Sequence, residues 1–297
     1  MQGHYVPRIY LRCFADINER VGCLFKRSGC CNMMSIKKIC TERDMYVKFE
    51  GGRRDIGVEA AFAEFESKEL AETLKNVDEL PFLVMLDGAQ CVYAELKEKL
   101  SRIITIQLIR GKQVKDFGAV RSEHLYHSMY DEIDRLIGEF NPVVLEKLKS
   151  SESEIISNSP IVAMEQYLDG SAGSAIPKAI MAKKCAILKI DSSAEFVTSD
   201  NPVLLCDEFG LRVGLLNVPL GDNNVIICYP VSPKVAIAFS SGLLFSAVKY
   251  KDGSLIRLGE NEEWLVKRLN YGQYHQAEQI VIARNVEVLQ GLKRMGT

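Results

Sequence analysis

Cys185-Ala186-Ile187-Leu188-Lys189-Ile190, Val225-Ile226-Ile227-Cys228 and Val235-Ala236-Ile237-Ala238-Phe239 are short apolar runs rich in β-branched residues. Each is too short for a typical helix and ends at Gly, Pro or Asp-Asn turns, the pattern of buried strands. Phe196-Val197-Thr198 and Val203-Leu204-Leu205 are two further strand candidates between them. At the other end of the chain, Val21 to Lys26, Ile36 to Ile39 and Met45 to Phe49 also read as short strands, closed by Gly51-Gly52.

Between these two strand-rich regions the spacing is helical. Val58, Ala61, Phe62, Phe65, Leu70 and Leu74 repeat at helical intervals from Ile56 to about Asn76. Pro81 suits the first turn of a helix running to about Leu100, and Ser101 suits the N-cap of Ile103 to Arg110, a segment whose isoleucines would also suit a strand but whose helical neighbours favour helix. Ala119 to Phe140 is amphipathic and ends at Asn141-Pro142, followed by a short helix over Val143 to Leu148. Ser150 to Ser159 reads as an exposed polar loop, and Val162 to Lys183 as a mixed segment broken at Gly170-Ser171-Ala172-Gly173 and Pro177. Glu262 to Tyr271 and Tyr274 to Ala283 read as closing helices.

This order predicts an α+β fold, a mixed sheet of N-terminal and C-terminal strands with a helical middle section. Residues 1–297 are expected to form a single domain, with a helical subdomain at about 56–183. Hydrophobic residues at 47% and charged residues at 26% suit a packed core and exclude global disorder. A net charge of −2 gives no overall basic field. The nine cysteines include no CxxC pair, which weakens a zinc knuckle, and Cys30-Cys31 reads as an incidental vicinal pair. Their odd number and the lack of a leader pattern suggest reduced thiols in a cytoplasmic protein. No apolar run reaches the ~20 residues needed to cross a bilayer, so no membrane partner is expected. The apolar stretch Leu80 to Leu86 is interrupted by Pro81.

Several polar groups stand out against this background. Thr198-Ser199-Asp200-Asn201-Pro202 puts a hydroxyl, a carboxylate and an amide into one turn between strands, which is also what an ordinary Asx-turn does. His4-Tyr5-Val6-Pro7 precedes an aromatic run that should dock, so His4 is a candidate base, metal ligand or phosphate donor. Gln107 and Arg110, three apart, share a helical face; a buried Arg110 would need an acidic or phosphate partner, with Glu59 or Glu66 in reach. His124 and His127 show HxxH spacing but fit an exposed helix face better than a metal site. Asn270 and Gln276 flank Tyr271, Tyr274 and His275, which suits either a pocket wall or a capping helix, while Trp264 reads as core. Phosphate-binding P-loop, GxGxxG, GxSxG and HExxH patterns are absent.

Taken in order, His4-Tyr5-Val6-Pro7-Arg8-Ile9-Tyr10-Leu11-Arg12-Cys13-Phe14, Glu59 and Glu66, Gln107 and Arg110, Thr198 to Pro202, Tyr229-Pro230 and Asn270 span nearly the whole chain. This constellation resembles the domain of unknown function 4238 family, found in bacteria and fungi. The resemblance supplies no reaction, but it implies that these polar motifs form one site.

The site so read is catalytic at His4, Glu66 and Asp200 and substrate-binding at Gln107, Arg110, Ser199, Asn201 and Asn270. It points to a hydrolase acting on a phosphate-containing substrate, nuclease-like, with nucleic acid or nucleotide as partner. The carboxylates could hold a divalent metal such as Mg, although no metal ligand set is defined. Two alternatives are a nucleotide or NAD glycosidic-bond enzyme, which also uses paired carboxylates, and a non-catalytic binding or sensing module whose polar network is structural. The sequence sets no oligomeric state.

Overall fold

The computed structural model describes residues 2–75, 90–137, 141–170, 175–210, 212–214 and 217–295. The chain begins with β1 (Gln2–His4), α1 (Arg8–Arg12), β2 (Arg20–Phe25), β3 (Cys31–Ser35), β4 (Thr41–Arg43), β5 (Lys48–Glu50) and β6 (Arg53–Asp55). Helices follow: α2 (Gly57–Phe65), a π-helical turn (Glu66–Leu70), α3 (Ala71–Lys75), α4 (Gln90–Ile109), α5 (Lys112–Ile137), α6 (Pro142–Leu168) and α7 (Ala175–Met181). The next strands are β7 (Lys184–Ile190), β8 (Thr198–Ser199), β9 (Leu204–Asp207), β10 (Val225–Pro230), β11 (Val235–Ser240), β12 (Leu243–Leu244), β13 (Val248–Lys249) and β14 (Ser254–Leu258). A 3₁₀ turn (Glu260–Glu262), α8 (Glu263–Gln276), β15 (Ile280–Ala283) and α9 (Val286–Met295) close the fold.

The class is α+β, and strands from both chain ends share a sheet. Its order is β3-β2-β15-β8, all antiparallel, with Ile280 opposite Phe25 and Val281 opposite Ser199. The apolar runs after residue 184 build a second sheet, ordered β14-β7-β11-β10-β9, in which only β14 and β7 pair in parallel. Strands β10 and β11 are buried along their whole length, which explains their unbroken apolar sequence. Side chains alternate across this sheet. Leu205, Ile227, Tyr229 and Ile237 face a core shared with Tyr10, Phe62 and Ile104. Leu204, Cys206, Ile226 and Cys228 face a second core with Phe245 and Leu265.

Several expected elements differ from those observed. Ser150 to Ser159 is not a loop but lies within α6, a helix that also contains Pro160. Tertiary bonds override its poor helix composition: the Asn158 amide bonds both backbone groups of Phe49 at 2.9 and 2.6 Å, and Ser122 meets Ser159 at 2.9 Å. Pro160 fits because Gly118 on α5 faces it; a Cβ there would lie 2.9 Å from the proline ring. Asn141 caps α6, accepting the Val144 N–H, and Pro142 occupies its first turn.

Ser101 is not an N-cap: it lies inside α4, and its hydroxyl donates to the Pro177 carbonyl at 3.3 Å. Ile280 to Ala283 is strand rather than helix, because its β-branched Ile280-Val281-Ile282 run completes the composite sheet. Ile36 to Ile39 and Met45 to Val47 form turns whose apolar side chains point inward. Trp264 is 40% exposed rather than core. The expected helix start at Pro81, the apolar stretch Leu80 to Leu86 and the break at Ser171 to Gly173 lie outside the described residues. Among the described residues, no helix is long and apolar enough to cross a membrane.

Candidate functional site

The opening segment sets the first half of the site. Strand β1 pairs with β4, with His4 opposite Thr41, and the Tyr5 amide continues the pairing by donating to Cys40 at 3.0 Å. The carbonyls of His4 and Tyr5 are met by the end of α4. Arg110 Nη2 donates to the His4 carbonyl at 2.7 Å, and Gln107 Nε2 donates to the Tyr5 carbonyl at 3.2 Å. The three-residue spacing therefore delivers two side chains to adjacent carbonyls on one strand.

Arg110 is 2% exposed, and its Nη2 also pairs with Glu66 Oε1 at 2.8 Å. Glu66 opens the π-helical turn that follows α2; such turns often mark functional positions because they re-aim side chains. The guanidinium lies 4.6 Å from the Phe62 ring centroid, and the Arg110 carbonyl accepts from the Tyr46 hydroxyl at 2.8 Å. Glu59, one helical face along from Glu66, lies against β1 because residue 3 is glycine; a Cβ there would sit 3.0 Å from Glu59 Oε2. Burial pushes the Glu59 carboxyl above its usual range, against the pull of Arg110. Burial and the positive charge of Arg8 push the His4 imidazole below its usual range, while a hydrogen bond with the backbone of Ile36 acts the other way.

Around this ion pair, buried polar atoms lack protein partners. Among the described residues, six buried side-chain nitrogen or oxygen atoms make no hydrogen bond. Five of them are His4 Nε2, Arg8 Nε, Arg110 Nε, Arg110 Nη1 and Tyr229 Oη; the sixth belongs to Glu195. These groups share one electrostatic environment: Arg8, Glu66 and Arg110 act on His4, and Arg110 and Glu66 act on Tyr229. Tyr229 comes from β10 and stacks on Tyr10 of α1 with ring centroids 5.1 Å apart. His4, Arg8, Glu59 and Glu66 keep partial solvent exposure, whereas Arg110 and Tyr229 are buried. The arrangement is a polar cluster in which partly exposed charged groups surround buried, unpartnered donors.

The Ser-Asp-Asn-Pro turn is the other half, and its bonding is complete. Asp200 accepts three backbone amides: Glu278 at 2.9 Å, Gln279 at 2.7 Å and Ile280 at 3.0 Å. Burial pushes its carboxyl up, and the three amides pull it partly back. The Ser199 hydroxyl lies 2.8 Å from Gln273 Oε1 and accepts the Asn201 N–H at 3.1 Å. Asn201 Nδ2 donates to Gln113 at 3.1 Å. Asn270 accepts from the Val197 amide at 2.9 Å and donates to the Glu195 carbonyl at 2.8 Å. Gln273 and Gln276 continue this row along α8, donating to Pro202 at 2.6 Å and to Asn201 and Val203 at 2.7 and 2.6 Å. Three amides spaced one helical turn apart thus hold the extended backbone of residues 195–205.

The two halves meet through aromatic residues. The Tyr10 hydroxyl donates to the Pro230 carbonyl at 2.6 Å and shares a 2.7 Å bond with the Thr198 hydroxyl. The structure brings His4, Glu66, Gln107 and Arg110 together and places Ser199, Asp200, Asn201 and Asn270 in the supporting network beside them. Arg8, Tyr46 and Tyr229 join the polar cluster, and Gln273 joins the amide row. Arg8 and Tyr229 lie within the motifs quoted above, but a tyrosine in an apolar strand reads as core. Gln273 was findable from the Asn270-x-x-Gln273-x-x-Gln276 spacing.

His124 and His127 lie on the exposed face of α5, where His127 approaches Glu152 at 3.5 Å. Among the described residues, no three His, Cys, Asp or Glu side chains cluster so as to hold a metal ion. The model of a protein family described as "Protein of unknown function (DUF4238)" matches residues 2–287 of the chain. Among curated proteins and solved structures, none matches.

Proposed function

The chain belongs to the DUF4238 family, and we propose that it hydrolyses a phosphate-containing substrate, such as a nucleic acid, at the polar cluster of His4, Glu59, Glu66, Arg8, Arg110 and Tyr229. One observation carries this reading: a fully buried guanidinium keeps Nε and Nη1 without partners, beside the unpartnered Arg8 Nε and Tyr229 Oη. Leaving buried donors unmet costs about 1–3 kcal/mol each, and more when charged, so such clusters are kept where a ligand completes them. Donors of this kind suit the oxygens of a phosphoryl group.

The remaining groups fit the chemistry. The His4 ring is held by the Ile36 backbone, leaving Nε2 as the unpartnered atom, and its lowered pKa keeps it neutral near pH 7. In this proposal Nε2 takes a proton from a water molecule as its oxygen attacks phosphorus. The bond from phosphorus to the leaving oxygen breaks, and Glu59, whose pKa is raised, supplies that oxygen's proton. Arg110, Arg8 and Tyr229 bind the phosphoryl oxygens, and Glu66 orients Arg110 through their ion pair. Asp200, Ser199, Asn201 and Asn270 act as positioning residues that fix β8 and Pro202 behind Tyr10. No step is routed through a metal. We place the activity in the cytoplasm, where thiols such as Cys23, Cys40 and Cys228 stay reduced.

End-labelled RNA and NAD, each assayed with and without EDTA, test the proposal. RNA cleavage is expected, with His4→Gln slowing it by about 10²–10⁴-fold at an unchanged melting temperature. Nicotinamide release without RNA cleavage would replace this reading with the glycosidic one. Wild-type turnover by His4→Gln would overturn the assignment of the base.

A further inference from the structure

On the other face of the five-stranded sheet lies a cavity of about 240 Å³ between β9, the loop after it and α8. Cys206 forms part of its wall and faces the second core, whereas Tyr229 of the Arg110 cluster faces the first, so the sheet separates the two places. Phe209, Phe245 and Tyr271 supply aromatic rings to the wall; Arg268 and His275 supply polar groups.

The charge in this cavity is the informative feature. The Arg268 guanidinium lies 4.5 Å from the Phe245 ring centroid and donates to the Phe209 carbonyl. Among the described residues, it has no carboxylate partner. Gly210 shapes the loop over it: its φ of +68° is one that L-residues adopt with strain, and a Cβ there would sit 3.4 Å from Arg268 Nε. His275 lies edge-on to Tyr271 with centroids 4.2 Å apart, and burial together with the charge of Lys26 lowers its pKa. The imidazole is therefore neutral near pH 7, and Arg268 is the cation of the cavity. Phe209, though apolar, is 57% exposed at the rim.

Aromatic walls favour a planar ring, and an arginine without an acidic partner favours a carboxylate. The volume lies below the roughly 300–1,000 Å³ of sites for drug-sized ligands, which limits the occupant to about one ring. We propose that this cavity is a second ligand site, for a small aromatic carboxylate, independent of the hydrolase reading.

Benzoate, cyclohexanecarboxylate and benzyl alcohol, titrated separately into the full chain and followed by NMR at the His275 and Tyr271 rings, test it. Benzoate is expected to bind saturably and at least about tenfold more tightly than either analogue, since one lacks the π-face and the other the charge. Arg268→Gln should weaken benzoate by about tenfold or more, and His4→Gln should leave it unchanged. Phe245→Leu, which keeps the Arg268–Phe209 bond, should weaken benzoate and benzyl alcohol but not cyclohexanecarboxylate, and guards against a collapsed loop in the arginine variant. No saturable shift, equal affinity for all three compounds, or undiminished binding by both variants would overturn the proposal.

Discussion

The polar cluster at Arg110 and the turn at Asp200 are built alike and bonded differently. Each holds a charged group beneath the surface, and each joins chain segments far apart in sequence. At Asp200 the carboxylate is met by three amides, and the neighbouring side chains are committed to backbone atoms. At Arg110 only Nη2 makes well-formed hydrogen bonds; Nε and Nη1 make none, with the side chains of Tyr46 and Phe62 as neighbours of the guanidinium. Residue type alone does not separate the two places. Saturation does: a saturated network specifies a fold, while an unsaturated one retains capacity for a ligand.

The largest expected effect is on the saturated side. Asp200→Ala strands the buried Ile280 amide and the part-buried amides of Glu278 and Gln279, and is expected to cost about 2–4 kcal/mol, read from urea unfolding. A cost under about 1 kcal/mol would remove the contrast between the two regions. A smaller effect of opposite sign is expected in the Arg110 cluster. Tyr229→Phe removes an unpartnered buried hydroxyl while keeping the stack on Tyr10, so the free protein should be unchanged or about 1 kcal/mol more stable. Destabilisation by more than about 1 kcal/mol would mean that the hydroxyl has a structural partner.

The smallest effect is a pH dependence. The Glu59 carboxyl is raised above its ordinary value of 4.5 in the fold, so the folded state holds its proton more tightly than the unfolded chain does. Its contribution to stability is fully present below about pH 4.5 and is lost as pH rises through the folded value. Asp200 shifts in the same direction, so the informative quantity is the difference between wild type and Glu59→Gln. Wild type should lose stability relative to the variant as pH rises from about 4.5, and a flat difference would contradict the burial assigned to Glu59.

Much of the scaffold was legible because it follows local rules. The β-branched runs around Ile187, Ile227 and Ile237 are strands, and the spacing of Gln107 and Arg110 does put them on one face. What escaped depended on distant partners. The helix through Ser150 to Ser159 relies on Phe49 and Ser122, and Ile280 to Ala283 becomes a strand by pairing with Phe25 and its neighbours. The place of Asp200 rests on backbone amides 78 to 80 residues away, which carry no side-chain signature. Tyr229 was hidden for a simpler reason: in an apolar strand, its hydroxyl is silent until the fold shows that nothing meets it.

The central claim is that the Arg110 cluster takes an anion. Titrating the full chain with inorganic phosphate while following the Arg110 Nε–H resonance, assigned by its loss in Arg110→Lys, tests it most directly. The account predicts a saturable shift of that resonance and of the His4 ring, weakened in Tyr229→Phe and retained in any folded Asp200→Asn protein. Phosphate that leaves the Arg110 and His4 signals unmoved at every concentration would contradict it.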